Sequence, residues 1–122
     1  MKAMLFALIA IGLSNEALAL TPPSPESEDG QILLPQSEWV RTQHSPTGKW
    51  CCDLGDARIA ELRRRQDGHY EVFYSKEHWT DGTDQWIAVP PEALLPQQSP
   101  VYVPIAWIIN GHVYCVALSG AS

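Results

Sequence analysis

Short stretches in which apolar and polar residues alternate, or in which apolar residues run together, dominate the second half of the chain. Residues 69–75 (HYEVFYS) alternate aromatic or β-branched residues with polar ones, and residues 85–89 (QWIAV) form a second short run. Both patterns predict β-strands. The apolar runs 101–109 and 112–118 flank an Asn-Gly pair at 110–111, which accepts the positive φ angles of a type I′ hairpin turn. These runs therefore predict antiparallel pairing.

Residues 57–65 (ARIAELRRR) fit two elements. The segment contains good helix formers, but an Asp-Gly pair at 67–68 and a strand follow it. We favour a strand that pairs back across a two-residue turn, which would place Arg63 opposite Val72. The helix remains the alternative.

The resulting expectation is a mainly β fold, a small antiparallel meander or half-open barrel with at most one short helix and a disulfide staple. Ser37 can cap one helical turn, which should end by His44 because Pro46 follows. Pro104 lacks a backbone donor, so the 101–109 strand is expected at a sheet edge or at a bulge.

The amino-terminal third divides into two segments before the folded domain. Residues 1–19 combine Lys2, an uninterrupted apolar run and an A-x-A end, the layout of a signal peptide that is cleaved near Ala19. The apolar run is about half the length of a membrane span, although an uncleaved anchor is the alternative. Residues 20–36, rich in proline and acidic side chains, predict a flexible leader. The single β domain then occupies residues 37–122, without a transmembrane segment in the mature chain.

The charge balance restricts the class of partner. The chain has 8 basic and 14 acidic side chains and a net charge of −6. Nucleic acid is therefore a poor partner, since neutralising phosphates needs a basic surface. The one basic cluster, Arg63-Arg64-Arg65, lies beside Glu61 and Asp67, and we interpret it as a solvated face with anion binding as the alternative.

We interpret the three cysteines as disulfide partners, because an exported protein reaches an oxidising compartment. If residues 50–53 are extended and Trp50 faces the core, Cys52 shares that face while Cys51 points away. Cys52 is then the better partner for Cys115, and closing a loop of about 60 residues is worth about 4 kcal/mol. Cys51 would remain a free thiol or pair with another chain.

Two other uses of the cysteine doublet stay open. A Cys51–Cys52 bridge could act as a redox switch, and a metal site could add His44, Asp53 or His112 to the sulfur ligands. The spacings match no zinc signature, and the sequence contains no nucleophile motif, so we expect no catalytic residue, no metal and no cofactor.

Aromatic side chains supply the candidate ligand contacts. The chain has five tryptophans, of which most should be core. Trp79 lies in a polar loop beside Asp81 and Asp84, so it is the one expected to be exposed and to stack on a sugar or peptide. Trp86 is the second stacking candidate.

Four stretches also resemble an uncharacterised family of small exported bacterial proteins. They are CCDLGD (51–56), EHW (77–79), WIAVP (86–90) and PIAWIINGHVYCV (104–116). The resemblance covers about residues 37–120, and it implies that a cysteine doublet with one late cysteine is a pattern of the family. It implies no activity, ligand or catalytic residue.

Together these observations predict a periplasmic or secreted, non-enzymatic binding or structural module. Its partner is expected to be a cell-wall component, a small ligand or a protein. The alternative is a thiol-redox or metal-binding protein that uses Cys51 and Cys52.

Overall fold

The computed structural model describes residues 21–119, so the predicted signal peptide lies outside the described residues. Within this range no helix is long and apolar enough to cross a membrane. The described residues contain six strands in two antiparallel sheets, ordered β1–β5–β6 and β2–β3–β4. The strands are β1 (Ala57–Ile59), β2 (Leu62–Arg64), β3 (Tyr70–Tyr74), β4 (Gln85–Ala88), β5 (Ile105–Ile109) and β6 (His112–Ala117).

One continuous helical segment precedes the strands. It begins with helix α1 (Glu28–Leu33), passes through a 3-10 turn (Leu34–Gln36) and ends with helix α2 (Ser37–Arg41). Two further 3-10 turns follow: Leu54–Asp56 immediately precedes β1, and Pro91–Ala93 lies between β4 and β5. The mainly β fold with one short helical segment and a disulfide is confirmed.

The first sheet lies between the helical segment and the second sheet, because side chains of β5 alternate between two apolar clusters. Ile105 and Trp107 pack in a cluster with Leu33 of the helical segment, whereas Ala106 and Ile108 pack in a cluster shared with the second sheet. Because β5 is covered on both faces, it appears in the sequence as an unbroken apolar run.

The predicted flexible leader is wrong for residues 28–36. Ser27 caps α1 by accepting a hydrogen bond from the Gly30 N–H at 2.9 Å, and the side chain of Leu33 is completely buried. The acidic residues that suggested disorder occupy the first turn of a helix, where they oppose the positive end of the helix dipole. The folded unit therefore begins well before Ser37, which lies inside the helical segment.

The ambiguous segment 57–65 is a strand region, but its pairing differs from the prediction by one residue. Leu62 lies opposite Val72, and Arg63 lies opposite Glu71. The turn has three residues rather than two: the Gly68 N–H donates to the Arg65 carbonyl at 2.9 Å, and Gly68 has φ of 89°. This is the usual geometry of a three-residue hairpin, in which glycine closes the turn in the left-handed region.

The β5–β6 hairpin is confirmed at its predicted turn, since Asn110 and Gly111 have φ of 51° and 77°. Of the two expectations raised by Pro104, an edge is wrong, whereas the register of β5 with β6 does shift between Trp107 and Ile108, as at a bulge. β5 is the central strand of its sheet and begins immediately after Pro104. The proline has no ladder bond to donate there, and its carbonyl accepts a hydrogen bond from the Ala60 N–H at 2.9 Å.

A disulfide joins Cys51 to Cys115, so the predicted Cys52–Cys115 pairing is wrong. The two Cα atoms are 5.4 Å apart, and both cysteines are completely buried in the cluster beneath the helical segment. Cys52 is the free thiol.

The pairing differs because Trp50 does not face the core. Its side chain is 45% exposed, and its indole N–H donates to the Arg41 carbonyl at 2.7 Å, which holds the ring at the surface. Adjacent side chains of an extended segment point to opposite sides, so an outward Trp50 turns Cys51 inward. The segment is also not extended throughout, because Cys52 has φ of 101°.

Candidate functional site

Cys52 is placed for packing rather than for thiol chemistry. Its side chain is half-buried against the core cluster, and its backbone has φ of 101°. Burial, and after it the charges of Asp56 and Asp53, raise the pKa of the Cys52 thiol. A nucleophilic or metal-binding cysteine needs a lowered pKa, because the thiolate is the reactive form.

The acidic residues after the cysteine doublet have separate structural roles. Asp53 accepts a hydrogen bond from the Leu54 N–H at 2.7 Å and so caps the following 3-10 turn. Asp56 is 5% exposed, and burial raises the pKa of its carboxyl group. Across residues 21–119, no group of three or more histidine, cysteine or acidic side chains is arranged to hold a metal ion.

Trp79 is buried, so the expectation that it is exposed is wrong. It is 5% exposed and packs against Tyr74, with ring centroids 5.6 Å apart. The Tyr74 hydroxyl donates to Asp81 of the loop that carries Trp79. Burial, and after it this hydrogen bond, raises the pKa of Tyr74 to about 12. The polar sequence around Trp79 reflects this loop rather than an exposed aromatic ring.

Trp86 lies on the outer face of the second sheet, where stacking on a ligand is geometrically possible. Its ring contacts Phe73 across the β3–β4 pair, with centroids 5.2 Å apart. The guanidinium of Arg63 lies 4.3 Å from the Trp86 ring centroid and also donates to Glu71 at 2.6 Å. Arg63, Phe73 and Trp86 therefore form a half-exposed layer in which a cation lies over an aromatic pair.

The three consecutive arginines follow the edge of the sheet, with Arg63 over Trp86 on one face and Arg64 over Tyr70 on the other. We call Arg63, Arg64 and Arg65 the arginine edge. They line a surface depression of about 680 Å3 together with Gln66, Asp67 and Glu71. The Arg63 and Arg65 side chains are 53% and 49% exposed. Exposed ion pairs such as Arg65–Asp67, at 3.6 Å, contribute little and exchange readily for other carboxylates.

Arg64 differs from its two neighbours because it makes no ion pair within residues 21–119. Its guanidinium lies 5.1 Å from the Tyr70 ring centroid, and its Nε donates to the Gly68 carbonyl at 3.3 Å. The side chain is thus held in place while its positive charge is not neutralised by a carboxylate.

A second depression lies on the other side of the arginine edge, where the chain passes from the first sheet to the second. It has a volume of about 480 Å3 and an apolar lining of Ala60, Leu62, Tyr70 and Pro104, with Arg63, Arg64 and Ser119 at its margin. Apolar walls with a few placed polar groups are typical of ligand sites of this size. The sequence contained the arginine cluster, but this groove depends on the fork between two sheets, which no local pattern indicates.

A buried polar cluster that the sequence analysis missed joins the amino-terminal segment to both sheets. Asp29 accepts hydrogen bonds from the Ile59 N–H at 2.7 Å and from the His78 ring at 2.5 Å. Arg58 donates to the His78 carbonyl at 2.9 Å and to the Thr21 carbonyl at 3.3 Å. In the sequence, the only sign of this cluster was the acidic Asp29 near the start of a helix, and its partner His78 lies 49 residues away.

This cluster makes stability depend on pH in a defined direction. The hydrogen bond that the His78 ring donates to Asp29 raises the pKa of His78, burial lowers it, and the charges of Asp29, Glu77 and Glu28 raise it further. A histidine whose folded pKa is raised contributes stability below its unfolded pKa of about 6.5. That contribution is lost as the pH rises through the folded pKa.

We therefore expect His78→Gln to destabilise the protein more at about pH 5.5 than at about pH 9, a window that spans the titration. The measurement is the urea midpoint of the wild type and the variant across this range. His69→Gln, at an exposed position, is the matched control. Equal losses at both ends of the range would contradict the role of the protonated imidazole.

Comparisons with protein-family models, with curated proteins and with solved structures find no match to this chain. The resemblance to a family of small exported proteins therefore stays a prediction. The candidate site is therefore argued from the geometry of the arginine edge and the groove beside it.

Proposed function

We propose that this chain is an exported, non-enzymatic binding module that holds a carboxylate-bearing partner on the arginine edge. The observation that carries the proposal is that three consecutive arginines at the end of β2, two of them over aromatic rings, line one depression of an otherwise acidic protein. Export and the module's periplasmic or secreted location are parts of the proposal.

The local charge supports a carboxylate ligand. The depression along the edge is lined by three arginines and two acidic side chains, so its excess charge is positive although the whole chain carries −6. A guanidinium matches a carboxylate with two parallel hydrogen bonds, and stacking on a ring fixes the plane of the guanidinium before the ligand arrives.

The environment of the free thiol favours this module over the alternative thiol-redox or metal-binding protein. Cys51 is held in the disulfide, and burial raises the pKa of Cys52. A raised pKa lowers the thiolate fraction of Cys52, and the thiolate is the form that attacks disulfides and binds metal ions.

Binding to a short glutamate oligomer tests the proposal, with a lysine oligomer of equal length as the opposing probe. The overall charge alone favours lysine, whereas the arginine edge favours glutamate. In titration calorimetry at about 0.05 M salt, we expect the glutamate oligomer to bind and the affinity to fall as salt is raised.

Changing Arg63, Arg64 and Arg65 together to alanine should weaken binding of the glutamate oligomer by about tenfold or more. Arg41→Ala is the matched control, because Arg41 is an exposed arginine paired with Asp53 elsewhere on the surface. Binding of the lysine oligomer alone, or equal losses in the two variants, would overturn the proposal.

A further inference from the structure

We infer that the partner binds as an extended acidic peptide that adds a strand to the free edge of β2. This inference rests on the proposed function, since it names the class of ligand that the arginine edge holds. It combines three features of one place: an unpaired strand edge, an apolar groove beside it and the three arginines.

The first feature is the free edge itself. β2 is the terminal strand of its sheet, and within residues 21–119 no strand pairs with its outer side. The Phe73 N–H donates to the Glu61 carbonyl at 3.0 Å, and the Arg65 N–H donates to the His69 carbonyl at 2.7 Å. Hydrogen-bonded pairs alternate along antiparallel strands, so the N–H and carbonyl groups of Leu62 and Arg64 point outward.

The second feature is how the other edges are occupied. Asp29 accepts from the Ile59 N–H on β1 at 2.7 Å. The Leu95 N–H donates to Val116 on β6 at 2.9 Å, so a loop covers that strand. The edge of β4 borders a depression lined by Asp81, whose charge repels an acidic peptide. β2 is therefore the edge at which backbone groups and positive charge coincide.

The third feature is the groove beside β2, which gives alternate side chains of an added strand a place to bind. Leu62 and Tyr70 line the groove, whereas Arg63 lies on the opposite face of the sheet. Side chains of a strand alternate between faces. An added peptide would thus place apolar residues in the groove and acidic residues against Arg63.

Charge also decides against a second copy of this chain as the occupant. Pairing β2 with the β2 of another molecule brings two rows of arginines together, and like charges on neighbouring strands are destabilising. Charged side chains on an edge are a common protection against such pairing. The same charges attract a strand that carries acidic residues.

The test uses the oxidised full-length mature protein and the peptide acetyl-EVEVE-amide. The controls are acetyl-KVKVK-amide and two forms of EVEVE with methylated backbone nitrogens. One form is methylated at both valines, and the other is methylated at glutamates, whose N–H groups point to the other side of an extended peptide. One set of peptide N–H groups faces β2 and the other faces solvent. We expect one methylated form to bind about tenfold more weakly than the other, and the lysine peptide to bind more weakly than EVEVE.

Hydrogen exchange identifies the edge that is used. Binding of EVEVE should slow exchange of the Leu62 and Arg64 amides at least about tenfold, because both become hydrogen-bonded. Arg64→Pro and Arg64→Ala both remove the guanidinium group with its contacts, but only Arg64→Pro also removes the outward N–H, so it should weaken binding more. Both variants keep the β2–β3 ladder.

Each other outcome overturns the inference in a recognisable way. If EVEVE binds but both methylated forms bind equally and the two amides stay unprotected, the ligand is held by side chains; the proposed function then survives without strand addition. If the glutamate oligomer binds and EVEVE does not, the groove does not accept alternate apolar side chains, and an added strand that places apolar residues there is excluded. If the glutamate oligomer also fails, the proposed function fails with it.

Discussion

Replacing Cys51 and Cys115 together by alanine is expected to lower the free energy of unfolding by about 4 kcal/mol. The bond closes a loop with a sequence separation of 64, which greatly restricts the unfolded chain. A loss of that size is most of the stability of a domain of this length. Changing both cysteines prevents Cys52 from pairing with a sulfur that a single substitution would release.

Cys52→Ala is the matched control, since it removes a neighbouring sulfur that forms no disulfide. The urea midpoint should change little in this variant. The pairing would be contradicted if Cys52→Ala lost as much stability as the double variant, because the structural bond would then involve Cys52.

Leu33→Ala is expected to lower the free energy of unfolding by about 3 kcal/mol, in the range for buried leucines. Leu33 is completely buried beneath α1, in the same cluster as the disulfide and Trp107. The truncation leaves a cavity between the helical segment and the first sheet. Urea unfolding of the mature chain measures the loss.

Gln31→Ala provides the control for this prediction, because Gln31 lies on the same helix and is exposed. Its free energy of unfolding, measured by urea unfolding, should change by no more than about 0.5 kcal/mol. If Leu33→Ala had an equally small effect, the segment before residue 37 would be the detachable leader that its composition suggested.

The strands of the second half were predictable because each has a local cause. The alternation in 69–75 and the Asn-Gly pair at 110–111 specify a half-buried strand and a tight hairpin without help from distant residues. The arginine edge was also visible as a cluster in the sequence. Its position over aromatic rings was not, because that depends on which strands pair.

The predictions that were wrong depended on information that is not local. The register of β2 moved by one residue because Asp67-Gly68 belongs to a three-residue turn, and a one-residue shift reverses the face of each side chain. Leu62 consequently lines the groove, and Arg63 reaches Trp86. The geometry of the candidate site follows from this turn.

The amino-terminal segment shows a related limit. Its prolines and acidic residues have the composition of a disordered leader, yet Asp29 is bonded to a backbone N–H and a histidine on two different elements. Those partners lie 30 and 49 residues away. Composition indicates whether a segment can become ordered by itself. Here the segment is ordered by hydrogen bonds to residues that are distant in the sequence.

Differential alkylation tests most directly whether the domain that displays the arginine edge is closed by Cys51 and Cys115. The folded protein is treated with one isotopic form of an alkylating reagent and, after unfolding and reduction, with a second form, and fragment spectra then locate each label. We expect the first label on Cys52 and the second label on Cys51 and Cys115. The first label on Cys51, with the second on Cys52 and Cys115, would contradict the account.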